Sequence, residues 1–272
     1  MGFETSYYEN TDLWAIKNMG LVDRQRIATL AEKIPLDART LIDVGCGNGL
    51  FLKHLNDMRE SCFERLCGAD RSMAALAWVE TEKVQAGVES LPFSEGEFDI
   101  VSCMEVLEHL PQTIYISALN ELSRIARRYI LISVPHNENL RMSLTECEKC
   151  CCRFNPNYHL RAFRESTIKN LFTDKGFACR EVFYIHPLKI VPTNIEVILR
   201  FFGVLKRTIL HQANPSMVDR AVCPACGYSP RACRNGPSTM IASPVNRAGT
   251  LVRSLLSMKS GWRWMGALYE KL

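Results

Sequence analysis

Short apolar runs alternate with helical patterns through the middle of the chain. Runs of β-branched and apolar residues predict buried strands at 40–44, 65–69, 84–88, 98–103, 129–134 and 177–185. Apolar residues three and four positions apart predict helices over 21–34, 50–58, 73–82, 112–128 and 163–175. Because strands that alternate with helices build parallel sheets, the pattern predicts an α/β fold with a doubly wound sheet.

Composition is that of an ordinary globular protein. Of 272 residues, 47% are hydrophobic and 23% are charged, which is enough to bury a full core. The net charge of +4 is small and dispersed, and this argues against nucleic acid as a partner. We see no signal peptide and no apolar stretch near the roughly 18 residues that span a bilayer. A cytoplasmic protein is therefore expected.

The most informative stretch joins the strand at 40–44 to the helix that follows. It reads Asp43-Val-Gly45-Cys46-Gly47-Asn-Gly49. Glycine allows a sharp turn and close approach to a ligand, and the first N–H groups of the helix remain free to donate. A dinucleotide fingerprint would need its third glycine one position later, where the chain has leucine. The spacing therefore indicates a ligand other than a dinucleotide, or a tight turn with no ligand.

This D-x-G-x-G-x-G pattern resembles motif I of the class I S-adenosylmethionine (SAM) dependent methyltransferases. A second stretch, Phe98-Asp-Ile-Val through Glu105-Val-Leu-Glu108-His109-Leu-Pro, is similar to another signature of that family and lies at the expected distance. The resemblance covers roughly residues 37–185. Within the family, this region is similar to the methyltransferase domains of ubiquinone and menaquinone biosynthesis. The resemblance implies a Rossmann-like, mostly parallel sheet of seven strands, with SAM as the cofactor.

The resemblance also implies which residues hold SAM. Asp70 ends the second predicted strand about 20 residues past the glycine turn, where an ionised carboxylate accepts hydrogen bonds from the ribose diol. Glu89 is expected at the adenine edge, although it equally fits a solvated loop carboxylate. An aromatic segment with Tyr7 and Tyr8 is expected to fold over the cofactor. The cofactor-binding set is Tyr8, Asp43, Gly45, Cys46, Gly47, Gly49, Asp70, Arg71, Glu89, Ser90, Leu91 and Met104.

Four side chains are candidates for catalysis. Methyl transfer needs alignment, exclusion of water and, for some acceptors, a base. Glu105 and His109 follow the fourth predicted strand, His136 follows the fifth, and His159 precedes the next helix. All are expected at the edge of the sheet where ligands bind. In a second interpretation, Glu105, Glu108, His109 and His159 hold Mg²⁺, a pattern similar to metal-dependent 2′-O-methyltransferases of small RNAs. In a third, His109 is a buried structural histidine.

The 12 cysteines are unevenly distributed, and four of them form two C-x-x-C turns. Without a secretion signal, such turns indicate a metal before disulfides. Two turns supply the four thiolates of a tetrahedral zinc site. We predict structural Zn²⁺ at Cys147, Cys150, Cys223 and Cys226, with Cys151, Cys152 and Cys233 as substitute ligands. Reduced thiols without metal are the alternative.

The predicted domains follow from these motifs. Residues 1–36 form an N-terminal lid and helical segment, 37–187 a SAM-binding core, and 188–272 a C-terminal helical appendage. A small cysteine-rich insertion at 135–160 interrupts the core. Within the appendage, 195–210 and 251–272 mix apolar and basic residues at helical spacing. They predict helices that cover the core or a dimer face, or else an interfacial helix that makes peripheral membrane contact.

These observations predict a SAM-dependent methyltransferase. The expected acceptor is a small molecule, a sugar or a lipid-linked intermediate, methylated most often at oxygen. One alternative is a catalytically silent SAM-fold module that zinc stabilises and that binds a partner. The other is a metal-dependent RNA 2′-O-methyltransferase. Whether the protein is a monomer or a homodimer stays open.

Overall fold

The computed structural model describes residues 8–9, 14, 20–58, 62–141, 143–190, 221–228 and 259–272. The chain divides into two compact units. The first comprises Met1–Glu138, Leu160–His186 and Arg263–Leu272, and the second comprises Asn139–His159 and Pro187–Trp262. Three earlier predictions lie outside the described residues, namely Tyr7, Cys233 and the helix at 195–210.

One seven-stranded sheet confirms the predicted fold class. Its strands are β1 (Thr40–Val44), β2 (Arg65–Asp70), β3 (Glu82–Gln85), β4 (Phe98–Met104), β5 (Ala126–Pro135), β8 (Phe177–Ile190) and β9 (Lys259–Lys271). Their order is β3-β2-β1-β4-β5-β9-β8. Strands β1 to β5 are parallel to their neighbours, and β9 is antiparallel to β5. The order reverses beside β1, so the carboxyl ends of β1 and β4 border the crevice where open α/β sheets bind ligands.

Alternating residues of the central strands enter two separate hydrophobic clusters. In β1, Ile42 packs in one cluster and its neighbour Leu41 in the other, and both are fully buried. In β5, Ile130 and Leu131 divide in the same way. Since successive side chains of a strand point to opposite faces, the sheet is covered on both sides, as a doubly wound fold requires.

The helix predicted over 50–58 has those bounds, and the other helices are shorter than their sequence pattern predicts. They are α1 (Leu21–Glu32), α2 (Leu50–Met58), α3 (Met73–Leu76), α4 (Gln112–Ile125) and α5 (Glu165–Lys169). The helix predicted over 73–82 stops early because the Lys83 ammonium takes the carbonyls of Leu76 and Val79, and the strand predicted at 84–88 begins at Glu82. The helix predicted to 128 ends at Ile125. Among the described residues, no helix has the length and apolar character needed to cross a membrane.

Two further helix predictions need correction. The pattern over 163–175 yields α5 and a separate 3-10 turn at Thr173–Lys175, which ends at Gly176 with φ of 80°. The helix predicted over 251–272 is wrong for Lys259–Lys271, which is strand β9. Strand β9 pairs with β5 from Tyr129 opposite Glu270 to Pro135 opposite Trp264. Its continuous buried apolar run, Trp264–Tyr269, fits a strand covered on both faces.

The second unit contains a small hairpin. Strands β6 (Thr145–Glu146) and β7 (Arg153–Phe154) are antiparallel and enclose the loop with the first C-x-x-C turn. The Tyr158 hydroxyl accepts the N–H of Val222 at 2.8 Å and donates to its carbonyl at 3.1 Å. This pair of hydrogen bonds joins the insertion to the segment with the second C-x-x-C turn.

Candidate active site

The glycine turn after β1 has a backbone that only glycine adopts easily. Gly45, Gly47 and Gly49 have φ of 76°, 55° and 74°. A Cβ on Gly45 would lie 2.2 Å from Cγ2 of Val106, and a Cβ on Gly47 would lie 2.8 Å from the Trp14 ring. Both positive φ and close packing therefore exclude a side chain here. The turn brings main-chain N–H groups close to the carboxyl edge of the sheet.

Asp70 at the end of β2 holds this turn in place. Its Oδ2 accepts the N–H of Gly47 at 2.9 Å, and its Oδ1 accepts the N–H of Ser72 at 2.8 Å. The residue is 8% exposed, and burial raises the pKa of its carboxyl. A carboxylate offers about four lone-pair positions, so two remain for a ligand diol.

Asp43 ends β1 on the other side of the turn. It is 2% exposed, and Ser102 Oγ donates to its Oδ1 at 2.7 Å. Burial raises the pKa of Asp43 to about 7, against the opposing effect of the Ser102 hydrogen bond; nearby Asp70 adds to the rise and Arg26 reduces it. A cationic ligand group beside Asp43 would favour its ionised form.

Arg26 of α1 is a site residue that the sequence analysis missed. Its Nη1 lies 4.0 Å from Glu105 Oε1, and its guanidinium carbon lies 5.1 Å from the centre of the Trp264 ring. It also lowers the pKa of Asp43. A sequence signal did exist, because Arg26 precedes the buried Leu30 by four positions and so shares its helix face. An arginine on the buried face of a helix indicates an anion in the interior.

Glu105 follows β4 and connects three strands. Its φ is 56°, Ser133 Oγ donates to its Oε1 at 3.1 Å, and Trp264 Nε1 donates to its Oε2 at 2.6 Å. Both carboxylate oxygens are therefore engaged by β5 and β9. Trp264, like Arg26, was not among the predicted site residues, because it lies in the segment for which a helix was predicted.

Glu108 lies in the 3-10 turn Leu107–His109 and is fully buried. Neither of its carboxyl oxygens has a hydrogen-bond partner among the described residues, and its Oε1 lies 3.9 Å from Nε2 of His109. Burial first, and then the charge of Glu105, raise the pKa of Glu108 well above its ordinary value. A buried carboxyl without partners is costly unless it is protonated or meets a ligand. His159, the other predicted residue of this group, belongs to the second unit.

His136 directly follows β5. It forms an isolated parallel bridge with Phe163, and its N–H donates to the carbonyl of Arg263 at 3.0 Å. Its ring meets the Tyr184 ring edge-on, with centres 5.2 Å apart. The structure thus brings Glu105, His109 and His136 to the same edge of the sheet, on the loops after β4 and β5.

The segment predicted to border adenine is held by α4. The N–H of Leu91 donates to Glu121 Oε2 at 2.8 Å, and Arg124 donates to the carbonyls of Leu91 and Phe93. The N–H of Ser90 donates to the carbonyl of Gly87 at 3.1 Å. The main-chain donors of Ser90 and Leu91 are thus engaged within the protein. The Glu89 carboxylate lies against Gly87.

Residues of the N-terminal segment lie on the glycine turn. The carbonyl of Tyr8 accepts Ser72 Oγ at 2.8 Å and Trp14 Nε1 at 2.7 Å. Asn48 Nδ2 donates to the carbonyl of Trp14 at 2.8 Å. The guanidinium carbon of Arg71 lies 5.7 Å from the Tyr8 ring centre. Of these two aromatic residues, Trp14 contacts the glycine turn itself, at Gly47 and Asn48, and it was not among the predicted residues, whereas Tyr8 contacts Ser72 and Arg71.

Cys46 and Met104 complete the predicted cofactor-binding set. Cys46 is buried, and burial raises the pKa of its thiol well beyond the physiological range, so it packs as a small apolar residue. Met104 is half-buried and packs against the cluster that contains Leu41.

The second unit brings the four predicted cysteine ligands together. Sγ of Cys147 lies 3.7 Å from Sγ of Cys226, and Sγ of Cys150 lies 3.5 Å from Sγ of Cys223. All four sulfurs lie within 4.8 Å of one another. A disulfide needs about 2.05 Å, whereas a tetrahedral zinc with Zn–S bonds of about 2.3 Å has sulfurs about 3.8 Å apart. The residues fit a four-thiolate metal site.

Backbone donors favour ionisation of Cys223. For Cys150 a main-chain hydrogen bond with Cys152 lowers the pKa, but hydrogen bonds with the neighbouring thiols and burial outweigh it and raise the pKa. Burial raises the pKa of Cys223, but the N–H groups of Ala225 and Cys226, with the neighbouring thiols, outweigh it and lower the pKa to about 6. Gly227 has φ of 70°, and its N–H donates to the carbonyl of Cys223 at 2.9 Å. Thiolates at neutral pH are the form that binds metal.

The comparison with protein families agrees with the fold and the turn. Residues 18–182, more than half of the chain, match the sequence model of a family described as "Methyltransferase domain". The chain therefore belongs to this family, that of the class I SAM-dependent methyltransferases.

Individual relatives are similar over shorter stretches. Ubiquinone biosynthesis O-methyltransferase of Paraburkholderia xenovorans is 32% identical over 97 residues, which cover 32% of this chain and 40% of the relative. The protein of the same name from Ralstonia nicotianae is 33% identical over 96 residues, covering 32% and 39%. The chain thus spans about two fifths of these relatives.

A solved structure is similar over nearly the whole chain. It is described as the complex between the Haloferax volcanii Trm112 methyltransferase activator and a methyltransferase. The TM-score is 0.56 at 16% identity, with 97% of this chain and 98% of that chain covered. At this identity the similarity establishes the fold.

Proposed function

We propose that the protein transfers a methyl group from SAM to an oxygen of a small-molecule, sugar or lipid-linked acceptor. The observation that carries this proposal is the Asp70 carboxylate, which accepts the Gly47 N–H. It lies beside a glycine turn whose packing leaves no room for a Cβ at Gly45 or Gly47. The O-methyltransferases among the relatives support oxygen as the acceptor atom. SAM supplies an activated methyl carbon for in-line displacement.

The residues of the first unit fit SAM. Asp70 would accept the ribose hydroxyls, Asp43 would attract the methionyl ammonium, and Arg26 would attract the methionyl carboxylate. The opposed charges of Asp43 and Arg26 suit a zwitterion, because each compensates the burial of the other. The remaining proposed contacts are Tyr8, Gly45, Cys46, Gly47, Gly49, Arg71, Glu89, Ser90, Leu91 and Met104.

A base would take the proton of an acceptor hydroxyl. His109 and His136 are proposed for this role in the first unit, and His159 in the second. Glu105 is a positioning residue in this proposal, since Ser133 and Trp264 already engage both of its oxygens. Mg²⁺ is an alternative cofactor at Glu108 and His109, supported by the buried Glu108 carboxyl, for which the described part of the chain offers no hydrogen-bond partner.

We also propose that Cys147, Cys150, Cys223 and Cys226 bind a structural Zn²⁺. The support is the spacing of their sulfurs and the lowered pKa of Cys223. A closed set of four thiolates leaves no coordination position for a substrate, so the ion would stabilise the second unit rather than take part in methyl transfer.

The proposed domains are a lid and helical segment at 1–36, a core at 37–187 with the insertion at 135–160, and an appendage from 188. Strand β9 belongs to the first compact unit from Arg263 onward and completes the core sheet. A cytoplasmic location is proposed from the composition.

The experiment is methyl transfer from radiolabelled SAM to fractionated cell extract. Label in small or lipid-soluble molecules, lost in Asp70→Asn, is the expected result. A folded protein that binds S-adenosylhomocysteine (SAH) but labels nothing would favour the silent binding module. Label in RNA that a chelator abolishes would favour the metal-dependent RNA methyltransferase.

A further inference from the structure

Arg161 is held rigidly at the edge of the sheet that carries the candidate bases. Its Nη2 donates to the carbonyl of Leu110 at 2.7 Å, and its guanidinium carbon lies 3.5 Å from the centre of the Tyr115 ring. The N–H of the preceding residue, Leu160, donates to the carbonyl of Glu108 at 2.7 Å. Stacking and hydrogen bonding together fix the plane of the guanidinium before any ligand arrives.

No carboxylate compensates the charge of Arg161 within the part of the chain that the structure describes. Its Nε is buried and has no hydrogen-bond partner in the described ranges of the chain. Other half-buried arginines of the fold differ in this respect. Arg65 pairs with Glu82 and Glu97, and Arg124 pairs with Glu121. A guanidinium that is partly withdrawn from water and lacks a counterion has an unmet preference for an anion.

The surroundings of Arg161 connect it to the proposed acceptor position. Phe163, two residues later, is buried and forms the bridge with His136. The rings of Phe163 and Tyr115 have centres 6.4 Å apart. Arg161 therefore stacks on an aromatic ring and lies two residues before the position that bridges to the proposed base His136.

We infer that Arg161 binds an anionic oxygen group, a carboxylate or a phosphate, on the methyl acceptor. This inference rests on the proposed function, because it assigns the acceptor to the edge with His109 and His136. The planar fork of a guanidinium matches two oxygens of either group, and the half-buried Tyr115 ring offers apolar surface for the body of the acceptor. The substrate class is then an acidic hydroxyl compound, and Arg161 is its specificity residue.

Ligand-observed NMR on the full chain saturated with SAH tests this inference. The probes are 4-hydroxybenzoate, phenyl phosphate and the uncharged 4-hydroxybenzamide. The wild type is expected to bind at least one anion about tenfold more tightly than the amide, as expected for a charge-assisted pair. The anion that binds more tightly shows whether the group recognised by Arg161 is a carboxylate or a phosphate. In Arg161→Gln the preference is expected to disappear.

Two controls separate recognition from folding. Arg161→Lys keeps the charge but loses the fork, so an intermediate preference is expected even if Arg161→Gln does not fold. Arg127→Gln removes an exposed arginine that pairs with Asp99, and it should leave the preference unchanged. Equal binding of all three probes by the wild type, or an anion preference that survives in both Arg161 variants, would overturn the inference. SAH titration checks the cofactor site separately, and its failure would count against the proposed function instead.

Discussion

The side chain of Asp70 accepts the main-chain N–H of Gly47 at 2.9 Å, although 23 residues separate the two. The bond joins the end of β2 to the turn after β1. A single carboxylate therefore shapes the glycine turn and offers its remaining lone pairs to a ligand. Substitution at this position affects both tasks.

Asp70→Asn is expected to weaken SAH binding about ten- to a hundredfold, because a hydrogen bond to a charged group contributes about 1.5–3 kcal/mol. Isothermal titration calorimetry measures this loss. Asp99→Asn is the matched control, since Asp99 accepts the N–H groups of Arg39 and Thr40 near the amino ends of β1 and β4. It should lower the free energy of unfolding while SAH affinity stays within about twofold. An unchanged affinity in Asp70→Asn would contradict the proposed ribose contact.

Gly45→Ala should be more destabilising than Gly176→Ala. Both residues have positive φ, 76° and 80°, but a Cβ on Gly176 would meet no atom within 4 Å. Backbone strain alone costs about 1–2 kcal/mol, and the contact with Val106 should add about 1–3 kcal/mol at Gly45. Urea unfolding of both variants measures the difference. Equal losses would mean that Val106 moves aside and that the turn is less tightly packed than its distances indicate.

SAH binding is expected to depend on pH through Asp43. Its pKa in the free protein is about 7, above the ordinary 3.8. Burial thus favours the protonated form, and the stability of the free protein falls as pH rises from about 4 to about 7. The ammonium group of SAH, when bound beside Asp43, favours the ionised form of that carboxyl. Binding should therefore release a proton below pH 7, with affinity rising by up to tenfold per pH unit.

Calorimetry at pH 6 in buffers of different ionisation enthalpy detects that proton. The observed binding enthalpy of the wild type should change with the buffer. Asp43→Asn cannot titrate, so its enthalpy should be independent of the buffer and its affinity nearly flat from pH 5 to pH 8. The same buffer dependence in both proteins would assign the proton to another group.

Removal of one cysteine ligand should release the proposed zinc. Cys226→Ser is expected to reduce bound zinc from about one ion per chain to well below that, and to lower the melting temperature by about 5 °C or more. Cys179→Ser replaces a half-buried thiol outside the cluster, and it should change neither the zinc content nor the melting temperature. Elemental analysis and thermal unfolding check both variants. Zinc-free wild-type protein, purified without chelator, would disprove the site.

The parts of the fold that the sequence predicts correctly depend on local chemistry. Strand β1, the glycine turn and α2 follow one another within 19 residues, and each is determined by its own composition. The carboxylates Asp43 and Asp70 were predicted because strand ends can be read from apolar runs. The four clustered cysteines were predicted because C-x-x-C spacing is local, and the structure brings the two turns together.

The wrong predictions concern segments and residues whose structure or role depends on contacts with distant parts of the chain. The segment 259–271 was predicted as helix because its apolar and basic residues fit helical spacing, yet its pairing partner β5 lies more than 100 residues away. Helix α3 ends early through Lys83, whose contacts with Leu76 and Val79 are invisible to periodicity. Arg26 and Trp264 were missed because their roles depend on Glu105, which neither adjoins in sequence.

The position of β9 inside the sheet has a consequence for folding. Among the described strands, β8 has only β9 as its neighbour, so β8 is connected to the rest of the sheet only through the pairing of β9 with β5. Ile132 lies opposite Ala267, and closing a loop of 135 residues is entropically slow. Until then β5 has an unpaired apolar edge, which is the kind of surface on which partly folded chains aggregate.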